Sequence, residues 1–132
     1  MPRKNHKGLD TMTLFWSGIG ALFILLAIFS YWPQNPSDEE VLLVIDFGGG
    51  EERKFVSPYR AGSSAWDILQ QANAVYGIPL EVEDHFKPKM IGEKENGQDG
   101  KSWRFYLNGR PSEESPFESP LSGGEKILFK FE

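Results

Sequence analysis

The chain has 132 residues, with 14 basic and 19 acidic side chains and a formal net charge of −5 at pH 7. It contains no cysteine, which excludes disulfide bonds and thiolate metal sites. Beyond residue 32 the balance is 18 acids against 11 bases, because only Asp10, Arg3, Lys4 and Lys7 precede that point. Nucleic acid is therefore not an expected partner, since phosphate binding needs a basic face.

An apolar run covers residues 13–32, which carry no charge and are mostly Leu, Ile, Phe, Ala and Gly. Twenty such residues are what a helix needs to cross the hydrocarbon of a bilayer. Trp16 near one end and Tyr31 and Trp32 at the other are suited to the headgroup layers. The run lacks the small-residue cleavage pattern of a secretory signal peptide, which is the alternative interpretation. It predicts an uncleaved membrane anchor.

The charges that flank this run predict its orientation. Residues 1–12 hold three bases and one acid, whereas residues 33–40, a polar linker with two prolines, hold three acids and no base. Basic residues close to a transmembrane end stay on the cytoplasmic side. We therefore expect a single-pass protein of the cell (inner) membrane, with residues 1–12 cytoplasmic and residues 41–132 periplasmic or extracellular.

The domain after the linker begins with a predicted hairpin. Residues 41–47 (VLLVIDF) are almost continuously apolar, which is typical of a central strand that is buried on both faces. Glycines at 48–50 break this strand, and residues 53–59 (RKFVSPY) predict a second, weaker one. Pro58 places the end of the second strand at a sheet edge or a bend.

A helix is predicted to follow the hairpin. Ser64 with Asp67 three residues later is the pattern of a capping box, and Gly77 is the expected left-handed cap. Trp66, in the first turn, is expected to pack against the sheet. The apolar face predicted from helical spacing comprises Ala65, Ile68, Leu69, Ala72 and Val75.

The segment 78–101 is harder to interpret. Residues 80–82 and 89–91 are candidates for short strands, and residues 93–101 (EKENGQDGK) form a turn-rich polar stretch. The acids of this stretch are spaced loosely like a calcium loop, but the ligand order and terminal Glu that such a loop requires are missing. No metal site is predicted there.

A half-buried strand is predicted at residues 102–107, because apolar and polar positions alternate. Arg104 and Tyr106 point to one face, and Asn108-Gly109 ends the strand in a tight turn. The other face carries Trp103, Phe105 and Leu107.

The last strand is predicted at residues 126–131 (KILFKF), where Ile127, Phe129 and Phe131 face one way. In the loop before it, at residues 111–121, we expect Phe117 and Leu121 to pack back onto the core.

No catalytic residue is predicted. His85 is the one histidine beyond the N-terminal tail, in the acidic stretch 81–86 (EVEDHF), and no second catalytic partner is apparent. No phosphate loop, nucleophile elbow or zinc-helix motif occurs in the sequence. A metal-assisted hydrolase around His85 is the distant alternative, and the expected metal content is none.

Binding is the remaining class of function. The candidate ligand- or partner-binding residues are Arg104, Tyr106 and Asn108, since Arg and Tyr are enriched at binding hot spots. The competing interpretation assigns Trp103 to the core and Asn108 to a turn that needs a positive φ. If the helix leaves the face with Arg104 and Tyr106 uncovered, that face could meet a ligand or a partner protein.

Two strands, a helix and further strands is the order of a β-grasp fold, an α+β class in which one helix lies across a mixed sheet. Residues 61–69 (AGSSAWDIL), 100–109 (GKSWRFYLNG) and 123–125 (GGE) resemble three motifs of the transcobalamin-like C-terminal family. The resemblance extends over residues 41–131, and the segment around Trp103 is its most specific part. It implies a structural core motif of Trp66, Trp103, Phe105 and Gly109.

The resemblance also carries functional expectations. Named members of the family are C-terminal domains of animal cobalamin carriers, and a related β-grasp group is described as soluble-ligand-binding. This chain lacks the helical domain that covers the other side of cobalamin, so no cofactor is expected, and cobalamin is the alternative that the resemblance implies. We expect a membrane-tethered, non-catalytic module that binds a small ligand or a partner protein. The alternative is an accessory single-pass subunit of a larger membrane complex.

Overall fold

A computed structural model describes residues 37–132. The predicted anchor at 13–32, with Trp16, Tyr31 and Trp32, lies outside these residues. Within the described part, no helix has the length and apolar character that crossing a membrane requires.

The described residues form eight strands and one α-helix, joined by three short 3₁₀ turns at Asp84–Phe86, Gln98–Gly100 and Pro116–Glu118. The elements in chain order are β1 (Glu40–Asp46), β2 (Glu52–Pro58), α1 (Ala65–Tyr76), β3 (Leu80–Val82), β4 (Pro88–Ile91), β5 (Lys94–Glu95), β6 (Trp103–Leu107), β7 (Arg110–Pro111) and β8 (Lys126–Phe131).

Five strands form a mixed sheet in the order β2-β1-β8-β6-β7. Strand β1 pairs antiparallel with β2 and parallel with β8, and β6 pairs antiparallel with β8 and β7. The predicted hairpin and the central position of β1 are confirmed. The segment 78–101 contributes a separate three-stranded sheet in the order β3-β4-β5. The mixed sheet with one helix confirms the α+β prediction.

The helix begins and ends as predicted. The Ser64 hydroxyl accepts from the Asp67 amide, and the Asp67 carboxylate accepts from the Ser64 amide, so both halves of the capping box are present. Gly77 ends the helix in the left-handed region, at φ 64°. Val75 is 67% exposed, so its assignment to the apolar face was wrong. The last turn instead meets the sheet through Tyr76, whose ring packs on Phe55 of the edge strand β2.

The core lies between the helix and one face of the large sheet. Alternate residues of β1, β6 and β8 point into it, as the period of two predicts. Leu121 is buried as expected, but Phe117 is 53% exposed, so the prediction that it packs into the core was wrong. The residues of β1, β6 and β8 that belong to this core are Val41, Leu43, Ile45, Trp103, Phe105, Ile127, Phe129 and Phe131.

Candidate binding site

The buried face of β6 is organised around Trp103. Its indole N–H donates to the carbonyl of Lys94 at 2.8 Å, and its backbone N–H donates to the side-chain oxygen of Asn96 at 2.8 Å. The ring meets Phe47 edge-on at 5.7 Å and Phe131 at 5.3 Å. Trp103 therefore joins the small sheet to the core of the large one.

Asn108 and Gly109 form the two-residue turn between β6 and β7. Their φ values of 50° and 77° belong to the left-handed region that this type of turn needs. The Asn108 side-chain oxygen accepts from the Lys126 amide at 2.9 Å, and its nitrogen donates to Glu125 at 3.2 Å. The side-chain amide of Asn108 thus forms hydrogen bonds at the start of β8, and few of its hydrogen-bonding positions are left for a ligand.

Arg104 and Tyr106 lie on the sheet face opposite the helix. The Tyr106 hydroxyl donates to the Glu132 carboxylate, which also pairs with Lys130 at 2.6 Å. Arg104 lies beside Lys130 in the β6–β8 register and is exposed. The structure thus brings Arg104 and Tyr106 together on an open face and places Asn108 in the turn at the end of their strand.

The ionisation of this open face follows from the hydrogen bonds. Donation to Glu132 raises the pKa of Tyr106, with smaller contributions from desolvation and the Glu132 charge. The hydrogen bond from Lys130, followed by that from Tyr106, lowers the pKa of Glu132. The lowered pKa of Glu132 means that its contribution to stability is lost as pH falls through that folded-state value. The raised pKa of Tyr106 means that its contribution is lost as pH rises through its own folded-state value.

A cavity of about 440 Å³ lies beside the start of β6, between the small sheet and the loop after β7. No pattern in the sequence predicted it. Its apolar side is formed by Pro88, Trp103, Phe105, Pro116 and Phe129. Its polar side is formed by Glu83, Lys87, Asn96, Ser102, Arg104, Ser112, Glu113 and Glu114.

The wall of the cavity depends on Asn96. Its side-chain nitrogen donates to Glu83 at 2.6 Å and to the carbonyl of Pro88 at 3.1 Å, while its oxygen accepts from Trp103. On the other side, the Ser112 amide donates to the carbonyl of Phe105 at 2.9 Å. The Asn96-Gly97 dipeptide, in the turn-rich stretch 93–101, predicted only a turn. Nothing in the sequence indicated that the Asn96 side chain joins three segments.

The side chains of the acidic stretch around His85 point to different partners and do not form a cluster. Glu81 pairs with Lys89 at 3.5 Å, and Glu83 accepts from Asn96. His85 is exposed, and its backbone carbonyl accepts from the Ser115 hydroxyl. Among residues 37–132, no group of three or more His, Asp or Glu side chains is placed to hold a metal ion. The lining of the cavity instead combines apolar residues with side chains of both charges.

No family model and no curated protein matches the sequence. Solved structures that match the fold include the following two. One is a provisionally named metal-binding protein from Ruminococcus gnavus, with 14% identity, a TM-score of 0.57, and coverage of 71% of this chain and 96% of that one. The other is haptocorrin, a transcobalamin family member, in complex with Cbi. It has 16% identity, a TM-score of 0.54, and coverage of 72% of this chain.

The chain spans about a quarter of the length of haptocorrin, since the match covers 25% of it. At these identities the likeness concerns the fold alone. It supports the transcobalamin-like fold that the motifs around Trp66 and Trp103 predicted. The described domain of this chain is thus similar in fold to the matched quarter of haptocorrin and to the protein from R. gnavus.

Proposed function

We propose that this protein is a non-catalytic binding module, held at a membrane by residues 13–32, that takes a small organic ligand in the cavity beside Trp103. The observation that carries the proposal is the cavity. Its volume of about 440 Å³ lies in the range of about 300–1,000 Å³ that is typical of ligand pockets. The proposed ligand has a polar or charged group that meets the charged side chains of the lining. Its apolar part is small, because the apolar residues of the lining are themselves buried.

The fold neighbours support a binding role in a general way. Haptocorrin was solved in complex with Cbi, and the R. gnavus protein carries a metal-binding name. A cavity of this size does not enclose a corrinoid with its side chains, so we propose a smaller ligand. Of the three residues predicted for binding, Arg104 belongs to the cavity rim.

Filling the cavity should abolish ligand binding. Ser112 lies on the polar side of the cavity and is half-buried, so the Ser112→Trp variant places an indole in that space. We expect the full chain in mild detergent to bind at least one of benzylamine, phenylacetate and indole in saturation-transfer NMR. Ser112→Trp should weaken that binding by at least about tenfold, because the apolar contact is lost.

The matched control is Ser122→Trp, which adds the same ring at an exposed position outside the cavity. It should leave binding unchanged. If Ser112→Trp and Ser122→Trp bind all three probes equally well, the cavity is not the ligand site. The same conclusion follows if none of the probes binds the unaltered chain.

The membrane tether is tested separately. We expect the chain to stay in the membrane pellet after alkaline carbonate extraction. Leu25→Arg with Leu26→Arg should release it, since each Arg at the centre of a span costs about 2.5–3.5 kcal/mol. Gln34→Arg with Asn35→Arg adds the same charge outside residues 13–32 and should not release it. Release of the unaltered chain would contradict the anchor.

Sizing the detergent-extracted protein distinguishes the alternative function. A lone monomer agrees with an independent binding module. Co-migration with a stoichiometric membrane partner would instead identify an accessory subunit of a larger complex.

A further inference from the structure

Two phenylalanine rings stack on the surface of the domain. Phe86 is 43% exposed and Phe117 is 53% exposed, and their ring centroids lie 4.7 Å apart at an interplanar angle of 23°. The rings come from separate 3₁₀ turns, and Phe86 also packs against the buried Trp66 at 5.5 Å. Exposed aromatic surface that tertiary contacts assemble is typical of an interaction site rather than of a core. We call these two residues the aromatic pair.

The backbone holds the aromatic pair in place. The Ser115 hydroxyl donates to the carbonyl of His85, which ties the two 3₁₀ turns together, and the Ser119 hydroxyl donates to the carbonyl of Ser115 at 3.0 Å. His85 and Phe86 both have positive φ, at 64° and 56°. Non-glycine residues persist in that region only where their surroundings hold them. These contacts hold the two turns side by side, so the two rings form one continuous surface.

The surroundings of the aromatic pair are acidic. Glu83 and Asp84 precede Phe86, Glu113 and Glu114 precede Phe117, and Glu118 follows it. None of these five acids takes part in the salt bridges found among residues 37–132. The nearest base in the sequence is Lys87. The patch thus combines exposed rings with more acids than bases, and none of the five acids forms a salt bridge within the described residues. An excess of negative charge beside aromatic rings is complementary to a cation.

We propose that the aromatic pair is a docking surface for a basic segment of a partner protein. An Arg side chain of the partner would lie against the exposed rings, and neighbouring basic residues would pair with Glu113 and Glu114. Anionic lipid headgroups are a poor match, because the five acids repel them. The aromatic pair does not line the cavity, whereas Glu83, Glu113 and Glu114 do. Phe117→Ala is therefore the variant that separates this proposal from the ligand proposed in the cavity.

The test uses the full chain in dodecyl maltoside and a fluorescein-labelled decapeptide of alternating Gly and Arg. Fluorescence anisotropy should show saturable binding that weakens with added salt. Phe117→Ala should weaken the binding about tenfold, as expected for an aromatic hot spot. Glu113→Gln with Glu114→Gln should weaken it about fivefold and flatten the salt dependence. The same peptide with citrulline in place of Arg should not bind.

The matched controls are Val75→Ala, which removes an exposed apolar side chain from the helix, and Glu51→Gln, which removes a charge from the β1–β2 turn. Both should bind the peptide as the unaltered chain does. Circular dichroism establishes that each variant is folded. Equal binding of the Arg and citrulline peptides, or full binding by the folded Phe117→Ala variant, would overturn the proposal. The proposal would also be overturned if the chain formed a dimer, or bound to phosphatidylserine vesicles, and Phe117→Ala abolished that association.

Discussion

Replacing Phe129 with alanine should lower the free energy of unfolding by about 3–5 kcal/mol, the usual cost of removing a buried phenylalanine side chain. Phe129 is fully buried in β8, between β1 and β6. Its ring stacks on Phe105 at 5.2 Å with an interplanar angle of 19°. Small domains have a total stability of about 5–15 kcal/mol, so the loss is a large share of it.

Urea unfolding of the full chain in mild detergent measures this loss. Trp66 and Trp103, both buried in the domain, report unfolding by fluorescence. Leu128→Ala is the matched control, because Leu128 is the adjacent residue of β8 and points to the opposite, half-exposed face. It should cost about 1 kcal/mol, in proportion to the smaller apolar area that it buries. Equal losses in the two variants would mean that the core does not lie on the Phe129 face.

Gly123→Ala should destabilise the domain by about 3 kcal/mol, the upper end of the usual cost of overpacking. A Cβ at Gly123 would overlap the carbonyl oxygen of Asp38 and lie 2.7 Å from its carbonyl carbon. Both atoms are backbone, so no side-chain rotation relieves the overlap. Two backbone hydrogen bonds hold the two segments together at this point. The Gly124 amide donates to the carbonyl of Glu40 at 2.8 Å, and the Leu42 amide donates to the carbonyl of Glu125 at 3.0 Å.

Gly49→Ala separates this steric effect from backbone strain. Gly49 has a φ of 67° and open space where a Cβ would lie, so alanine there should cost about 1–2 kcal/mol from its left-handed conformation alone. Amide hydrogen exchange should show faster exchange at Leu42 and Gly124 in the Gly123 variant only. If Gly123→Ala lowers the free energy of unfolding no more than Gly49→Ala does, the backbone of Asp38 does not lie against Gly123 as described.

Several elements could be predicted because their determinants are close together in the sequence. The capping box joins Ser64 and Asp67, which are three positions apart, and the turn at Asn108-Gly109 needs two residues. Alternation along β6 and β8 depends on the pleat of each strand and therefore identified the buried face. Val75 fits the helical spacing of the apolar face, but the prediction that it belongs to that face was wrong. Helical spacing does not show where the sheet beneath a helix ends.

The candidate site could be predicted only in part. Arg104 and Tyr106 were assigned to the face opposite the helix from their position in β6, and the structure has them there. The role of Asn96 was not foreseeable, since its hydrogen bonds reach Glu83, 13 residues before it, and Trp103, 7 residues after it. A turn dipeptide predicts a backbone conformation and carries no information about its side-chain partners.

The capped helix, the hairpin, the alternating strands and the acidic, cysteine-free character of the domain could all be predicted, because each follows from composition or from neighbours a few residues apart. The cavity and the aromatic pair could not be predicted, because they form only when the chain is folded. The hydrogen bond that joins the turns of Phe86 and Phe117 connects residues 30 positions apart. Contacts at that separation depend on how the loops pack on the sheet, which local periodicity does not encode.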